Sequence, residues 1–237
     1  MSHNWISLVI CYYFCTNMLK KIFIIVSKDL KIDLSQGHLF FSVALYLVSS
    51  IFVVYLSFGS VGIKDLSTWV SLFWVLILFG SITSISKSFL HESKKRDYYY
   101  YFLVSPTELI FSKLLYNFFY LIILCFIAFG FYSLLIGSFI ESHLFFYFIL
   151  IVGSLSISNC LTFVSAISYQ VRNNSAIMSV LSFPIILPIL LILIKITKIS
   201  ASNFSWNLVQ DDIYLLILLN VITLSLSKIL FGYLWRN

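Results

Sequence analysis

The chain has 237 residues, 61% of them hydrophobic and only 10% charged, with a formal net charge of +6. Soluble domains carry roughly 45 to 50% apolar and 25% charged residues, so a water-soluble fold is excluded, and the few scattered cations exclude a nucleic-acid surface. Mean hydropathy is +1.02, and whole stretches of about 20 residues lack charge, which is what crossing a hydrocarbon layer of roughly 30 Å requires; the chain reads as an integral membrane protein.

Residues 1–17 read as an N-terminal extension. Their apolar run, Trp5 to Phe14, has no basic lead and no small-residue cleavage site, so it is not a cleavable signal, and it is too short to span. Met18 offers a second start, and residues 18–237 read as a single transmembrane domain, with no internal repeat, soluble domain or long linker. Directly after Met18, Leu19, Phe23, Val26 and Leu30 recur at steps of three or four, with Lys20, Lys21, Lys28, Asp29 and Lys31 largely elsewhere around the helix. That pattern predicts an amphipathic helix lying along the inner leaflet.

Six charge-poor stretches follow: Leu39 to Phe58, Thr68 to Ser86, Leu114 to Ile136, Leu144 to Tyr169, Ala176 to Ile194, and Ile213 to about Leu234. Their apolar character is continuous and not alternating, so they predict six transmembrane helices and not a barrel. The fold class is therefore all-α, six spans preceded by an interfacial helix. Of the cations, Lys20, Lys21, Lys28, Lys31, Lys87, Lys94, Lys95, Arg96, Lys113, Arg172, Lys228 and Arg236 fall on one side, against Lys64, Lys195 and Lys198 on the other. The positive-inside rule makes the first side cytoplasmic and puts both termini there. The outer connections are then Gly59 to Ser67, Gly137 to His143 and a longer one from Lys195 to Asp212. Trp69, Trp206 and Trp235 stand near span ends, where an aromatic belt would place them.

No catalytic residue and no metal site are read from the chain. Cys11, Cys15, Cys125 and Cys160 have no metal or redox spacing, and His3, His38, His91 and His143 are scattered. His38 and His143 read as polar residues at loop edges. Apart from Lys228, which lies in the last apolar run and would snorkel toward the inner face, the span interiors hold no ionisable residue for coupling to a proton or sodium gradient, so uphill transport would need energy from another chain.

Three internal features stand out. The fourth span carries Ser154, Ser158, Thr162 and Ala166 at steps of four, beside Gly153, Ser156, Asn159 and Ser165, a stripe that predicts close helix packing. In the fifth, Pro184 and Pro188 lie one turn apart, each removing a backbone donor, which predicts a kink or local opening. Between the second and third spans lies the densest charge in the chain. Glu92, Lys94, Lys95, Arg96 and Asp97 run into Tyr98, Tyr99, Tyr100 and Tyr101, a mixed-charge surface suited to a soluble partner or to anionic headgroups. Ser105-Pro106 then ends the loop, and Thr107 and Glu108 help start the next helix.

The pieces "SKDLKIDLSQG", "WVSLFWVLILFGSITSISKSFLHES", "YYFLVSPTELIFSKLLYN" and "FPIILPILLI" resemble the haem exporter protein B (CcmB) family, type-2 ABC permease subunits of the cytochrome c maturation system, over roughly residues 20 to 235. The carrying features are Leu-Val-Ser-Pro, with Ser105 and Pro106, followed by Lys113 seven residues after the proline, and the paired prolines. Where the family pattern has Gly-Thr-Leu-Glu before the Ser-Pro, this chain has Asp97, Tyr98, Tyr99 and Tyr100. The resemblance implies a non-catalytic permease of a multi-pass protein in the bacterial inner membrane. The loop from Glu92 to Tyr101 would dock a cytoplasmic CcmA-like ATPase. Further partners would be a CcmC-like haem-handling subunit, a small membrane subunit and, indirectly, a periplasmic haem chaperone. No bound cofactor is implied, haem entering only as the candidate transported substrate. The alternatives are a type-2 ABC permease for a drug, lipid or polysaccharide, an autonomous carrier, and a non-transporting membrane assembly factor.

Overall fold

The computed structural model describes residues 18–31, 38–59, 62–90, 105–140, 143–170, 175–202 and 206–234. Residues 1–17 and the loop from Glu92 to Tyr101 lie outside them. Every regular element among the described residues is helical. We number these α1 (18–31), α2 (His38–Phe58), α3 (Leu66–Leu90), α4 (Pro106–Ile136), α5 (His143–Gln170), α6 (Ser175–Ser202) and α7 (Trp206–Leu234). The last six are each long and apolar enough to cross a membrane.

The bundle is built around α5, which packs against α3, α4, α6 and α7. Burial follows from that arrangement: 61% of the span is buried in α3 and in α5, but 17% in α2, which touches only α3 and α4 among the spanning helices. The small residues of α5 explain its central place, because they let neighbouring backbones approach closely. At Gly153 a Cβ would sit 2.4 Å from Trp74 Cη2. Trp74 is itself fully buried and donates its indole N–H to Thr197 Oγ1 at 3.0 Å, joining α3 to α6.

Three sequence expectations are corrected. The charge-poor stretch from Leu114 marks only part of the third spanning helix, which begins at Pro106 under the Ser105 and Glu108 cap that the sequence suggests; Lys113 is therefore inside the helix and not in the loop. The expected long connection from Lys195 to Asp212 is mostly helix, α6 continuing to Ser202 and α7 starting at Trp206. The charges at its ends pair with each other at 2.8 Å, so they need no irregular segment to reach partners. Trp69 does not stand in a lipid-facing belt. It is fully buried, donating to the Gly137 carbonyl at 2.9 Å, accepting the Tyr132 hydroxyl on its own carbonyl at 3.0 Å, and stacked on Phe73. The buried ring therefore leaves no polar handle unsatisfied.

At the opposite end of α3 from Leu90, Asp65 closes the helix start. Its carboxylate accepts from the Thr68 amide at 3.1 Å and the Thr68 hydroxyl at 2.9 Å. The Thr68 hydroxyl, then the Thr68 and Ser67 backbone N–H groups, hold the Asp65 carboxyl below the ordinary carboxylate range.

Candidate functional site

The start of α4 is where the family-like motif meets α1. Ser105 is the N-cap and Pro106 the first helical residue, with fixed φ and no amide to leave unsatisfied. The Glu108 amide donates to Ser105 Oγ at 3.3 Å, and the Ser105 amide donates back to Glu108 Oε2 at 2.9 Å. This capping box satisfies two of the orphan donors at the helix start. The second carboxylate oxygen of Glu108 is approached by Lys21 of α1 to 3.7 Å. Lys21 is half-exposed, so that pair contributes at most about 1 kcal/mol.

The stronger tie lies further along both helices. Lys113 is only 3% exposed and its ammonium donates to Asp29 Oδ2 at 3.1 Å, while Lys28 reaches the other oxygen at 3.0 Å. The Lys113 ammonium also stands 6.0 Å from the centre of the Tyr116 ring. An isolated charge buried this deeply would be costly, and a well-placed counter-charge removes most of that cost while fixing geometry. Asp29 and Lys113 are thereby forced to stay together, and α1 is held against the first two turns of α4. Around the pair, α1 buries Ile22 and Val26 in the main core, and Ile25 beside them is buried as well.

A second polar feature lies deeper. The stripe residues Ser154, Ser158, Thr162 and Ala166 are all buried. Asn117 of α4 donates to Thr162 Oγ1 at 2.9 Å, and Ala166 packs with Leu109, Ile110, Leu114 and Phe231. One turn away Asn159 donates to Asn220 Oδ1 at 3.0 Å, and Asn220 donates to Ser156 Oγ at 2.7 Å and to the Leu216 carbonyl at 2.9 Å. Amide pairs of this kind hold α4, α5 and α7 in one register inside an apolar medium. Pro184 and Pro188 both fall within the continuous helix α6, on its exposed side.

The structure thus brings Ser105, Pro106 and Lys113 into one junction with α1, and adds Glu108, Asp29 and Lys21 to it. Asp29 and Asn220 carried no site expectation from sequence. Asp29 is one acid among five charged residues of α1, and its partner is 84 residues away. Glu92, Lys94, Lys95, Arg96, Asp97 and Tyr98 to Tyr101 lie outside the described residues. No group of His, Cys, Asp or Glu with metal-holding geometry occurs among the described residues.

The family model described as CcmB protein matches residues 20–233, nearly the whole chain and all of the junction. No curated protein and no solved structure matches.

Proposed function

Because the chain belongs to the CcmB family, a multi-pass membrane component of the haem export and cytochrome c maturation system, we propose that it is the permease subunit of an ABC transporter driven by a separate CcmA-like ATPase. It is non-catalytic. Its site is the bacterial inner membrane, with α1 and the loop between α3 and α4 on the cytoplasmic side, in keeping with the uneven distribution of its cations. A CcmC-like subunit, a small membrane subunit and a periplasmic haem chaperone complete the assembly, and haem is the candidate cargo.

The observation that carries this reading is the match to the CcmB family over residues 20–233; the buried Lys113 to Asp29 pair beside the capping box supports its mechanical side. The loop from Glu92 to Tyr101 receives the ATPase and enters α4 through Ser105 and Pro106. A push on the loop reaches a capped, stiff helix start, and the ion pairs oblige α1 to move with it. Mechanical input at one loop is in this way shared between a spanning helix and the helix beside it.

The test is complementation. A strain lacking the gene should lose c-type cytochromes on haem staining and regain them with the wild-type chain; intact c-type cytochromes in the deletion strain would favour a permease for another cargo.

A further inference from the structure

We infer that α1 carries a binding edge for anionic phospholipid headgroups, formed by Lys20 and Lys31, in the leaflet on its side of the membrane. The first ground is depth. α4 has 31 residues, about 46 Å of helix, against a hydrocarbon core of roughly 30 Å, so its charged first turns extend into the headgroup region. The ion pairs Lys21 to Glu108 and Asp29 to Lys113 hold α1 at that level.

The second ground is how the four sides of α1 are used. Ile22, Ile25, Val26 and Asp29 are buried against the bundle. Leu19 and Phe23, 60% and 72% exposed, share an edge with half-buried Leu30, roughly a quarter turn from the bundle face at 3.6 residues per turn. Lys21 and Lys28 lie about half a turn from that apolar edge. One side therefore suits hydrocarbon and the opposite side water. Lys20 and Lys31 occupy the remaining side, directly away from the bundle, with exposed Ile24 between them. This side runs along the bilayer at headgroup depth. Two cations flanking an apolar side chain match anionic phosphate groups over acyl chains, whereas a wholly aqueous edge would gain nothing from an exposed isoleucine. The lysines are about 16 Å apart along the helix, so each takes its own headgroup.

The test uses the purified full chain in neutral detergent, titrated with phosphatidylglycerol or phosphatidylcholine and read by native mass spectrometry. Phosphatidylglycerol should bind more tightly than phosphatidylcholine. K20Q/K31Q should weaken phosphatidylglycerol about 25-fold, the equivalent of about 1 kcal/mol per lysine, leaving phosphatidylcholine and the melting temperature unmoved. Equal affinity for the two lipids, or an unchanged phosphatidylglycerol affinity in K20Q/K31Q, overturns the proposal. Glycerol 3-phosphate competing as strongly as the lipid would reassign the edge to a soluble anion. Loss of ATPase co-purification from K20Q/K31Q with lipid affinity intact would reassign it to a protein contact.

Discussion

Lys113 of α4 and Asp29 of α1 meet at 3.1 Å with 4% and 11% of their side chains exposed, the most deeply buried ion pair among the described residues. Neither charge can be removed alone without leaving the other in a medium that solvates it poorly. K113M is expected to cost about 3 kcal/mol, toward the lower end for a broken buried pair because Lys28 still reaches Asp29. D29L should cost a similar amount, and D29L/K113M much less than the sum. Thermal melts of the four proteins in detergent read this coupling; additive losses would show that the pair does not act as a unit.

Gly153 and Gly80 separate two kinds of crowding. A Cβ at Gly153 meets the Trp74 ring at 2.4 Å, and that ring is held by Thr197. At Gly80 it meets the tip of Leu47 at 2.8 Å, the far end of a flexible side chain on the sparsely buried α2. G153A is therefore expected to lose about 2 kcal/mol by overpacking, and G80A clearly less. Melting temperatures of the two variants decide it, and equal losses would contradict the assignment of Trp74 as the fixed wall.

Asn220 is the hub of the deeper polar contacts, donating to Ser156 and accepting from Asn159. N220A takes this shared partner from Ser156 and Asn159 at once and should cost about 1 to 2 kcal/mol. N159L/N220L, which leaves no amide behind, should recover part of that loss. The comparison is a denaturation series in mixed micelles, and a double variant worse than N220A by more than 1 kcal/mol would show that packing outweighs hydrogen bonding there.

Asp65 sets a pH dependence of known sign. Thr68 hydroxyl and amide donors lower its pKa in the folded chain, so the folded state prefers the carboxylate. The stabilisation is complete above the unfolded value near 3.8 and disappears as pH falls through the lowered folded value. D65N should flatten the acid limb of a melting-temperature profile below about pH 4, while leaving the profile at neutral pH parallel to that of the wild type.

The six spans were legible because each is a continuous apolar run of membrane length, and that signal depends on no partner. Ser105-Pro106 with Glu108 three residues after the cap was legible for a similar reason, since a capping box is a local pattern. The burial of Lys113 inside α4 was not, because a lysine just before the charge-poor stretch reads as a polar boundary until its buried partner is known. Asp29 was invisible as a site residue for the same cause. Its importance comes from a contact across 84 residues, which no local periodicity reports. Trp69 misled because a tryptophan near a span end fits both a lipid-facing belt and a buried ring, and only the Gly137 carbonyl and Tyr132 distinguish them. The stripe on α5 announced close packing, whereas the pairing of Asn117 with Thr162 and of Asn159 with Asn220 required the relative register of three helices.

In the proposed function the loop between α3 and α4 takes mechanical input from an ATPase. Its most direct test is co-purification of the CcmA-like subunit with the tagged chain, comparing wild type with K94E/K95E/R96E expressed at equal level in the membrane. Charge reversal is expected to strip the ATPase from the complex and to abolish c-type cytochrome staining. Retention of the ATPase together with normal cytochrome assembly would contradict it.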